Sequence, residues 1–194
     1  MARTKVFDEE VVLEKAMYLF WQKGYNATSA QDLVDNLGIS RSSMYDTYGD
    51  KHSLFVKALK KYRTDRIDPV LKAVDTTPYI ENYVNDFFEF IRKEQFGEPN
   101  SIGCFLVNSA VELAPVDPEI AEIANAIMID TEEALYKAIK KGQQIGIYTK
   151  KFSARALAKF VFNALNGLRV TVKFDTNHNT FNDIINVSLS ALKV

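Results

Sequence analysis

The spacing of apolar residues is the feature that most constrains this fold, because it has the period of an α-helix along most of the chain. In the first segment, Val12, Ala16, Leu19 and Phe20 recur at i, i+4, i+7 and i+8, which places them on one helix face. No segment alternates convincingly as a strand does. Only 8 of 194 residues are Gly and 5 are Pro, few for the tight turns of an all-β protein. We therefore predict an all-α fold of about nine helices.

Polar caps and glycines indicate where the N-terminal helices begin and end. Asp8 is a candidate N-cap of the first helix and Gly24 its end, and Thr28 with Gln31 has the spacing of a capping box. The next helices are expected at residues 29–37 and 41–47, the latter capped by Ser40. A longer helix is expected to begin after Asp50 and to run past residue 63.

The remaining chain is divided by prolines, glycines and polar turns. Five further helices are expected at about 78–96, 102–114, 118–141, 153–174 and 181–192. Thr77-Pro78 and Asp117-Pro118 each place a cap residue before a proline at the first helical position, and Ser153 can cap a later helix. Residues 97–101 form a predicted linker, and Gly142 with Gly146 marks a predicted loop.

Charge divides the chain into two unequal parts. The whole chain has 24 Lys and Arg against 25 Asp and Glu, which excludes a uniformly basic nucleic-acid coat and a polyacidic tail. Residues 1–66 hold 11 basic and 9 acidic side chains, a net of +2, which leaves 13 and 16, a net of −3, for residues 67–194. This pattern fits a basic N-terminal module joined to an acidic body. We place the boundary so that the domains are 1–60 and 61–194.

Cysteine content and hydropathy indicate the compartment. Cys104 is the only cysteine, so no intrachain disulfide can form, as suits a reducing cytosol. The start MARTKVFDEE lacks the apolar core of a signal peptide. No stretch approaches the roughly 18 apolar residues of a membrane span. We expect a cytoplasmic protein with no membrane partner.

Motifs of enzymes are missing from the sequence. It contains no GxSxG, GxxxxGKS or GxGxxG pattern and no cluster of metal-ligand residues. The two histidines, His52 and His178, stand alone. We therefore predict a protein that is not an enzyme and that has neither a cofactor nor a metal site.

The stretch TSAQDLVDNLGISRSSMYDTYGDK carries the strongest functional pattern. Two short predicted helices meet at Leu37-Gly38-Ile39, and a short glycine turn between such helices is the helix-turn-helix arrangement. The inner face can be buried by Leu33, Val34, Leu37, Ile39 and Met44. The second helix exposes hydrogen-bonding groups of the kind that reach base edges: Arg41, Ser42, Ser43, Tyr45 and Thr47. The helix pattern alone favours an ordinary amphipathic hairpin in an all-α core, because any helical hairpin shows a similar pattern.

The residue types within this region go further than the helix pattern. The segment GYNATSAQDLVDNLGISRSSMYDTYGDKHSLF resembles the DNA-binding domain of the tetracycline-repressor (TetR/AcrR-type) family, over roughly residues 8–60. The matching positions are Gly24-Tyr25, Thr28, Gly38-Ile39-Ser40, Tyr45, Tyr48 and Lys51. The chain departs from the family pattern at Asp46 and Thr47, and these departures leave the operator sequence open.

The resemblance implies a ligand-responsive repressor that binds a double-stranded DNA operator as a homodimer. Thr28 and Lys51 are expected at helix N-termini against phosphates, Arg41 against guanine, and Tyr48 in the core. The implied DNA-binding set is Thr28, Ser40, Arg41, Ser42, Ser43, Tyr45, Thr47 and Lys51. Arg3 and Lys5 resemble a short basic arm, with a solvated terminus as the alternative. A helical adaptor that does not bind DNA is a further alternative, against which Arg41, Tyr45 and Lys51 argue.

The resemblance also implies a helical C-terminal body that dimerises and binds an inducer. Residues 153–192 form the expected four-helix dimer interface, since Ala158, Ala164 and Gly167 permit close helix approach; ordinary intrachain core is the alternative. The proposed pocket residues are Phe87, Phe88, Cys104, Phe105, Asn108, Glu112 and Asn163, with capping or interface roles as the alternative.

Two questions about this body stay open. The expected inducer is mostly apolar or aromatic with one polar end, and Glu112 disfavours a small carboxylate unless Arg169 reaches the pocket. Gly103-Cys104-Phe105-Leu106 resembles the start of a core helix in family members that sense electrophiles or oxidants. A thiol-based sensor repressor switched by modification of Cys104 is therefore an alternative, against the simpler reading of an inert buried thiol.

Overall fold

The computed structural model describes residues 7–96 and 102–194 and confirms the all-α prediction for them. The predicted basic arm of Arg3 and Lys5 and the predicted linker at 97–101 lie outside the described residues. The α-helices are α1 (Glu9–Lys23), α2 (Ala30–Leu37), α3 (Arg41–Tyr48), α4 (Lys51–Tyr62), α5 (Asp68–Thr76), α6 (Ile80–Phe96), α7 (Phe105–Leu113), α8 (Pro118–Gln144), α9 (Ala154–Thr171) and α10 (His178–Ser190).

The predicted long helix after Asp50 is continuous and longer than expected. A π-helical turn, Arg63–Ile67, joins α4 to α5 without a break, so helical backbone runs from Lys51 to Thr76. Counting this run once gives nine helices within the described parts of the chain, as the sequence predicts. The run begins beside the predicted recognition helix α3 and ends in the body. One continuous helix therefore joins the N-terminal helices to the body.

Five predicted N-caps are confirmed at Asp8, Ser40, Asp50, Asp117 and Ser153. Each of these side chains accepts a hydrogen bond from a backbone N–H in the first turn of its helix. A cap of this kind typically stabilises a helix by about 1 kcal/mol, because it satisfies an N–H that has no partner within the helix.

The predicted cap of α2 is wrong by one residue. Ser29, not Thr28, caps the helix: its hydroxyl accepts from the Asp32 N–H at 3.0 Å, and the Asp32 carboxylate accepts from the Ser29 N–H at 2.8 Å. Thr28 is fully buried instead, and its hydroxyl donates to the Gly24 carbonyl at 2.6 Å. Both residues are good caps, but the Thr28 side chain is buried and already bonded to Gly24, so Ser29 is left to cap α2.

Other helix bounds also differ from the prediction. Helix α6 begins at Ile80, because the Thr77 hydroxyl accepts from the Tyr79 N–H in a turn before the helix. Helix α10 begins at His178, after an Asn177 cap. Gly142 lies inside α8 rather than in a loop. A Cβ there would lie 2.2 Å from Cδ2 of Tyr148, so the missing side chain leaves room for this ring.

Buried side chains form two hydrophobic clusters. The first joins α1–α4 to α7 and the N-terminal half of α8, and its largest members include Phe20, Phe55 and Phe105. The second joins α5 and α6 to the C-terminal half of α8, α9 and α10, around Phe88 and Phe181. Because the first cluster contains residues from both sides of the predicted boundary at residue 60, α7 packs directly against the N-terminal helices. Among the described residues, no helix is long and apolar enough to cross a membrane.

Candidate nucleic-acid interface

Helices α2 and α3 form a two-helix unit whose inner face is fixed by packing. Gly38 ends α2 with φ +68°, a left-handed conformation that glycine adopts without steric cost, and the chain turns there into α3. Leu33, Leu37 and Met44 are buried between the helices. The Tyr48 hydroxyl donates to the Glu9 carbonyl at 2.9 Å and so ties α3 to α1. The predicted core position of Tyr48 is thereby confirmed.

The outer face of α3 is polar and open to solvent. Arg41, Ser42 and Tyr45 are exposed, and Ser43 and Thr47 are half-buried. Within the described parts of the chain, Arg41 makes neither a hydrogen bond nor a salt bridge, so its guanidinium is available to another molecule. Asp46 is exposed on the same short helix. The face therefore presents one cation, one carboxylate, an aromatic hydroxyl and several aliphatic hydroxyls.

Three serine hydroxyls gather at the N-terminus of α3. The Ser40 hydroxyl accepts from the Ser43 N–H at 3.1 Å and donates to the Ser43 hydroxyl at 2.9 Å. The Ser42 hydroxyl lies 3.0 Å from that of Ser40. Serine hydroxyls can both donate and accept, so this end of α3 suits phosphate oxygens as well as base edges.

Two lysines on α4 lie close to the two-helix unit, Lys51 beside the loop before α2 and Lys57 beside α3. Lys51 is the first residue of α4, and its ammonium lies 4.2 Å from the centre of the Tyr25 ring. Partial burial lowers the pKa of Lys51, against the opposing effect of Glu112 and Asp32. Lys57 is exposed, and its ammonium donates to the Thr47 carbonyl at 3.4 Å. Sequence reasoning missed Lys57, because only the packing of α4 against α3 brings it there.

Two carboxylates of the body hold the N-terminal unit in place. Glu112, predicted as a pocket residue, accepts from the Tyr25 N–H at 3.0 Å and from the Asn26 N–H at 2.7 Å in the loop between α1 and α2. His52 lies 2.7 Å from the Asp117 carboxylate. Both carboxylates flank the turn between α7 and α8. If that turn moved, Glu112 would transmit the movement to the loop before α2, and Asp117 would transmit it to the start of α4.

The structure does not bring the seven predicted pocket residues together. Phe87 and Phe88 belong to the second hydrophobic cluster, whereas Cys104 and Phe105 belong to the first. Asn163 is exposed on α9, so its expected place in the pocket wall is incorrect. The helical period alone could not show which face of α9 is turned outward.

The other two predicted polar residues satisfy backbone groups. The Asn108 amide donates to the Ile102 carbonyl at 2.9 Å, while Glu112 binds the loop described above. Both also line a cleft of about 350 Å³ between α1, α7 and α9, together with Trp21 and Lys173. This cleft lies at the junction of the N-terminal helices with the body.

A buried polar cluster lies nearby between α4, α6, α7 and α9. The Tyr62 hydroxyl donates to Glu94 Oε1 at 2.8 Å and lies 3.3 Å from Cys104 Sγ. Arg169 of α9 is only 4% exposed and interacts electrostatically with all three groups. Burial raises the pKa of Tyr62 well above its ordinary value, and burial also raises the pKa of Glu94 despite the opposing charge of Arg169. Of these four residues, the sequence placed Cys104 in the predicted pocket and left open whether Arg169 reaches it.

An apolar surface runs along α9 and α10. Phe160 and Val170 of α9 are each nearly half exposed, and Val187 of α10 is 66% exposed. The cleft between these helices is lined by Phe152, Ala156, Leu157, Phe160 and Ala191. Contiguous exposed apolar surface of this kind is typical of protein–protein contacts.

Known proteins resemble the chain in sequence and in fold. Residues 12–58 match the family model described as bacterial regulatory proteins, tetR family. Over 99% of its length the chain is 31% identical to the uncharacterized HTH-type transcriptional regulator YezE of Bacillus subtilis (strain 168), of which 100% is covered. It is 30% identical to the HTH-type transcriptional repressor ComR of Escherichia coli (strain K12), over 88% of this chain and 82% of ComR.

The fold is similar to that of a regulator solved on DNA. It matches a cysteine mutant of the TetR family transcriptional regulator CifR, complexed with 26bp double-strand operator DNA, with a TM-score of 0.85 and 23% identity. The match covers 98% of this chain and 100% of the CifR chain.

Proposed function

The chain belongs to the tetR family of bacterial regulatory proteins, and from this membership we propose that it is a transcriptional repressor that binds a double-stranded operator as a homodimer and leaves it when a small molecule binds. The proposal depends on a single observation: the polar face of α3 is exposed to solvent, while the opposite face of the same helix is tightly packed. In this proposal residues 1–60 bind DNA, and residues 61–194 dimerise and bind the inducer.

The DNA-binding roles follow from the chemistry of the α3 face. In this proposal Arg41 donates two hydrogen bonds to a guanine edge in the major groove. The hydroxyls of Ser42, Ser43, Tyr45 and Thr47 meet bases or phosphates, depending on how deeply α3 enters the groove. Thr28 contributes only through its backbone position, because its side chain is buried.

Phosphate contacts come from the groups that border α3. Ser40 and Ser29, the N-caps of α3 and α2, place hydroxyls at helix N-termini, where backbone N–H groups favour an anion. Lys57 adds positive charge beside α3, and Lys51 adds it beside the loop that leads into α2. These contacts position the protein on DNA, while Arg41 supplies sequence discrimination.

The apolar surface of α9 and α10 supports the homodimer. Two copies of this surface would form an isologous interface with twofold symmetry, in which Phe160, Val170 and Val187 lose their contact with water. A twofold dimer presents two α3 helices to DNA. The operator half-sites should then lie about 34–36 Å apart, or a multiple of that distance.

A salt-dependent gel shift with the DNA that flanks the gene tests the repressor proposal. We expect a complex that survives an excess of random duplex and that weakens steeply as salt rises, because phosphate neutralisation releases counterions. Equal affinity for the flanking DNA and random duplex would contradict specific operator binding. If the protein bound neither DNA, the result would favour the adaptor that does not bind DNA.

Modification of Cys104 is the second candidate for the release signal. It is favoured by one observation, which is that the thiol lies 3.3 Å from the Tyr62 hydroxyl and interacts with the Arg169 guanidinium. N-ethylmaleimide should release wild-type protein from DNA, and Cys104→Ser should abolish this release without changing release by a reversible ligand. Equal release of both proteins by the reagent would exclude this candidate.

A further inference from the structure

Asp46 is the only carboxylate on α3, and nothing within the described parts of the chain neutralises its charge. Its side chain is exposed and makes neither a hydrogen bond nor a salt bridge there. The nearby cations do not pair with it, since Arg41 is unpaired and the Lys57 ammonium donates to the Thr47 carbonyl. DNA phosphates repel a free carboxylate, so Asp46 favours binding only where DNA offers it a hydrogen-bond donor.

Asp46 lies at the centre of the outward face of α3. It is two residues after Met44 and two residues before Tyr48, the buried residues of this helix. At about 100° per residue, its side chain therefore leaves the helix nearly opposite both of them. Tyr45 and Thr47 flank it on either side. When α3 enters the major groove, the centre of its outward face approaches the base edges, and the flanks lie closer to the phosphates.

The major-groove edges of the four bases differ in what they offer a carboxylate. Guanine presents the acceptors N7 and O6, and thymine presents the acceptor O4 beside a methyl group, so neither can donate to it. Adenine presents the N6 donor next to the N7 acceptor, which repels one of the carboxylate oxygens. Cytosine presents the N4 donor with no acceptor on its own major-groove edge. Cytosine is therefore the base that suits Asp46 best.

We propose that Asp46 selects a cytosine in each half-site of the operator, by accepting a hydrogen bond from the cytosine N4 amino group. This inference rests on the proposed operator-binding function, and it names a base that the function leaves open. The same carboxylate disfavours sites that present an acceptor at this position, and it opposes loose association with phosphates. Asp46 therefore contributes to specificity by rejecting incorrect DNA as well as by contacting the correct base.

Arg41 and Asp46 contact different base pairs in this arrangement. Five positions separate the two residues in the sequence. This separation corresponds to about 7.5 Å along the helix axis, whereas neighbouring base pairs are about 3.4 Å apart. Their chemistry also differs, because a guanidinium donates to a guanine edge and a carboxylate accepts from a cytosine edge. Loss of each side chain should therefore relax the sequence preference at a separate position of the half-site.

Selection from a randomised duplex library identifies the base that Asp46 contacts. Duplexes bound by the full-length wild-type protein and by Asp46→Asn are enriched separately and sequenced. For the wild type, we expect a twofold-symmetric motif with a cytosine at one position of each half-site. Asp46→Asn should replace this cytosine by adenine on the same strand, because an asparagine amide accepts from N6 and donates to N7 of adenine. The other positions of the motif should not change.

Fluorescence anisotropy with duplexes that differ only at this base pair gives the magnitude. Wild type should bind the cytosine duplex about tenfold or more tightly than the adenine duplex, and Asp46→Asn should reverse this order. Asp46→Ala should bind the two duplexes equally, because it can neither donate nor accept. Both variants should bind random duplex more tightly than wild type does, since they lack one negative charge. Asp46 is exposed and unpaired, so both variants should keep the wild-type thermal transition.

Asp35→Asn is the matched control for the change of charge. Asp35 is exposed on α2, and its carboxylate accepts a hydrogen bond from the Gln31 amide. The substitution removes the same charge as Asp46→Asn but does not alter the outward face of α3. It should select the wild-type motif, and any change in its affinity should be equal for the two duplexes. The control therefore separates a general effect of charge from the contact with a base.

The possible motifs separate this inference from the repressor proposal. If Asp46→Asn selects the same motif as wild type, Asp46 contacts no base, and the inference is wrong while the repressor proposal stands. An A·T pair at the responding position of the wild-type motif, or replacement of the cytosine by thymine, would also overturn the inference, since the side chain would then face another base. If the wild type selects no motif, specific operator binding is wrong, and the inference fails with it.

Discussion

Arg41 combines an exposed guanidinium with a place in the first turn of α3, the arrangement by which recognition helices reach guanine. Neighbouring lysines carry the same charge but lie on α4, where phosphates rather than bases are within reach. Substitutions on this surface should therefore have one of two effects on binding. Loss of a base contact should change the sequence preference, whereas loss of a phosphate contact should lower the affinity for any duplex.

Arg41→Ala should weaken binding to the operator by about 1–3 kcal/mol and relax its preference at one base pair. Lys57→Ala is the control: it should weaken operator and random DNA alike and reduce the slope of log affinity against log salt by about one. Fluorescence anisotropy with both duplexes measures these effects. If Arg41→Ala lost the same free energy on both, its contact would be to phosphate.

Ser29→Ala should lower the free energy of unfolding by about 1 kcal/mol, because it removes the side-chain half of the capping box at α2. Ser42→Ala, an exposed serine within α3 that caps no helix, should have a much smaller effect. Urea unfolding followed by circular dichroism compares the two. Equal losses would mean that the cap contributes nothing specific.

Single helices are stabilised by contacts within one turn, and α2 shows how these respond to pH. The hydrogen bond from Lys23, followed by those from Ser29, lowers the pKa of Asp32 below its ordinary value of 3.8. The folded protein therefore binds a proton at Asp32 less readily than the unfolded chain does. This contribution to stability is complete above the unfolded pKa and is lost as pH falls through the folded one.

Asp32→Asn should accordingly destabilise the protein at neutral pH, and the difference from wild type should shrink as pH falls below about 3.8. Asp35→Asn is the matched control on the same helix, since Asp35 only accepts a hydrogen bond from Gln31. Thermal melts across this pH range provide the measurement. A difference that grows in acid would refute the assignment.

At the scale of the whole molecule, function depends on how the body holds the DNA-binding unit. The first hydrophobic cluster makes α7 part of the support of α1 and α4, and Glu112 and Asp117 add polar contacts at the same junction. The buried faces of α9 and α10 belong to the second cluster, and their exposed apolar side chains form the proposed dimer surface. We therefore expect the proposed dimer surface to lie on α9 and α10, and the proposed coupling to DNA to depend on α7 and the start of α8.

Val187→Glu should convert the dimer to monomer and abolish operator binding, because it places a charge on the apolar surface of α10. Ile129→Glu is the matched control, since Ile129 is similarly exposed at 58% but lies on α8. Analytical ultracentrifugation should show monomer for the first variant and dimer for the second. A dimer that persists in Val187→Glu would place the interface elsewhere.

Local rules were sufficient for much of this protein. The helical period, five of the N-caps and the glycine turn at Gly38 depend on residues within a few positions, and the sequence therefore predicted the helices and the exposed face of α3. Local rules could not decide between Thr28 and Ser29 as the cap of α2. That choice depends on which side chain the folded core accepts.

Only the tertiary structure decided the contacts between distant parts of the chain. His52 with Asp117, Glu112 with the α1–α2 loop, and Tyr62 with Glu94 join residues whose spacing has no sequence period. The orientation of α9 likewise placed Asn163 outside, against its predicted place in the pocket wall, and placed Arg169 inside, which the sequence had left open. The physical reason is that helix formation depends on local hydrogen bonds, whereas the facing of each helix is settled by burial shared among many of them.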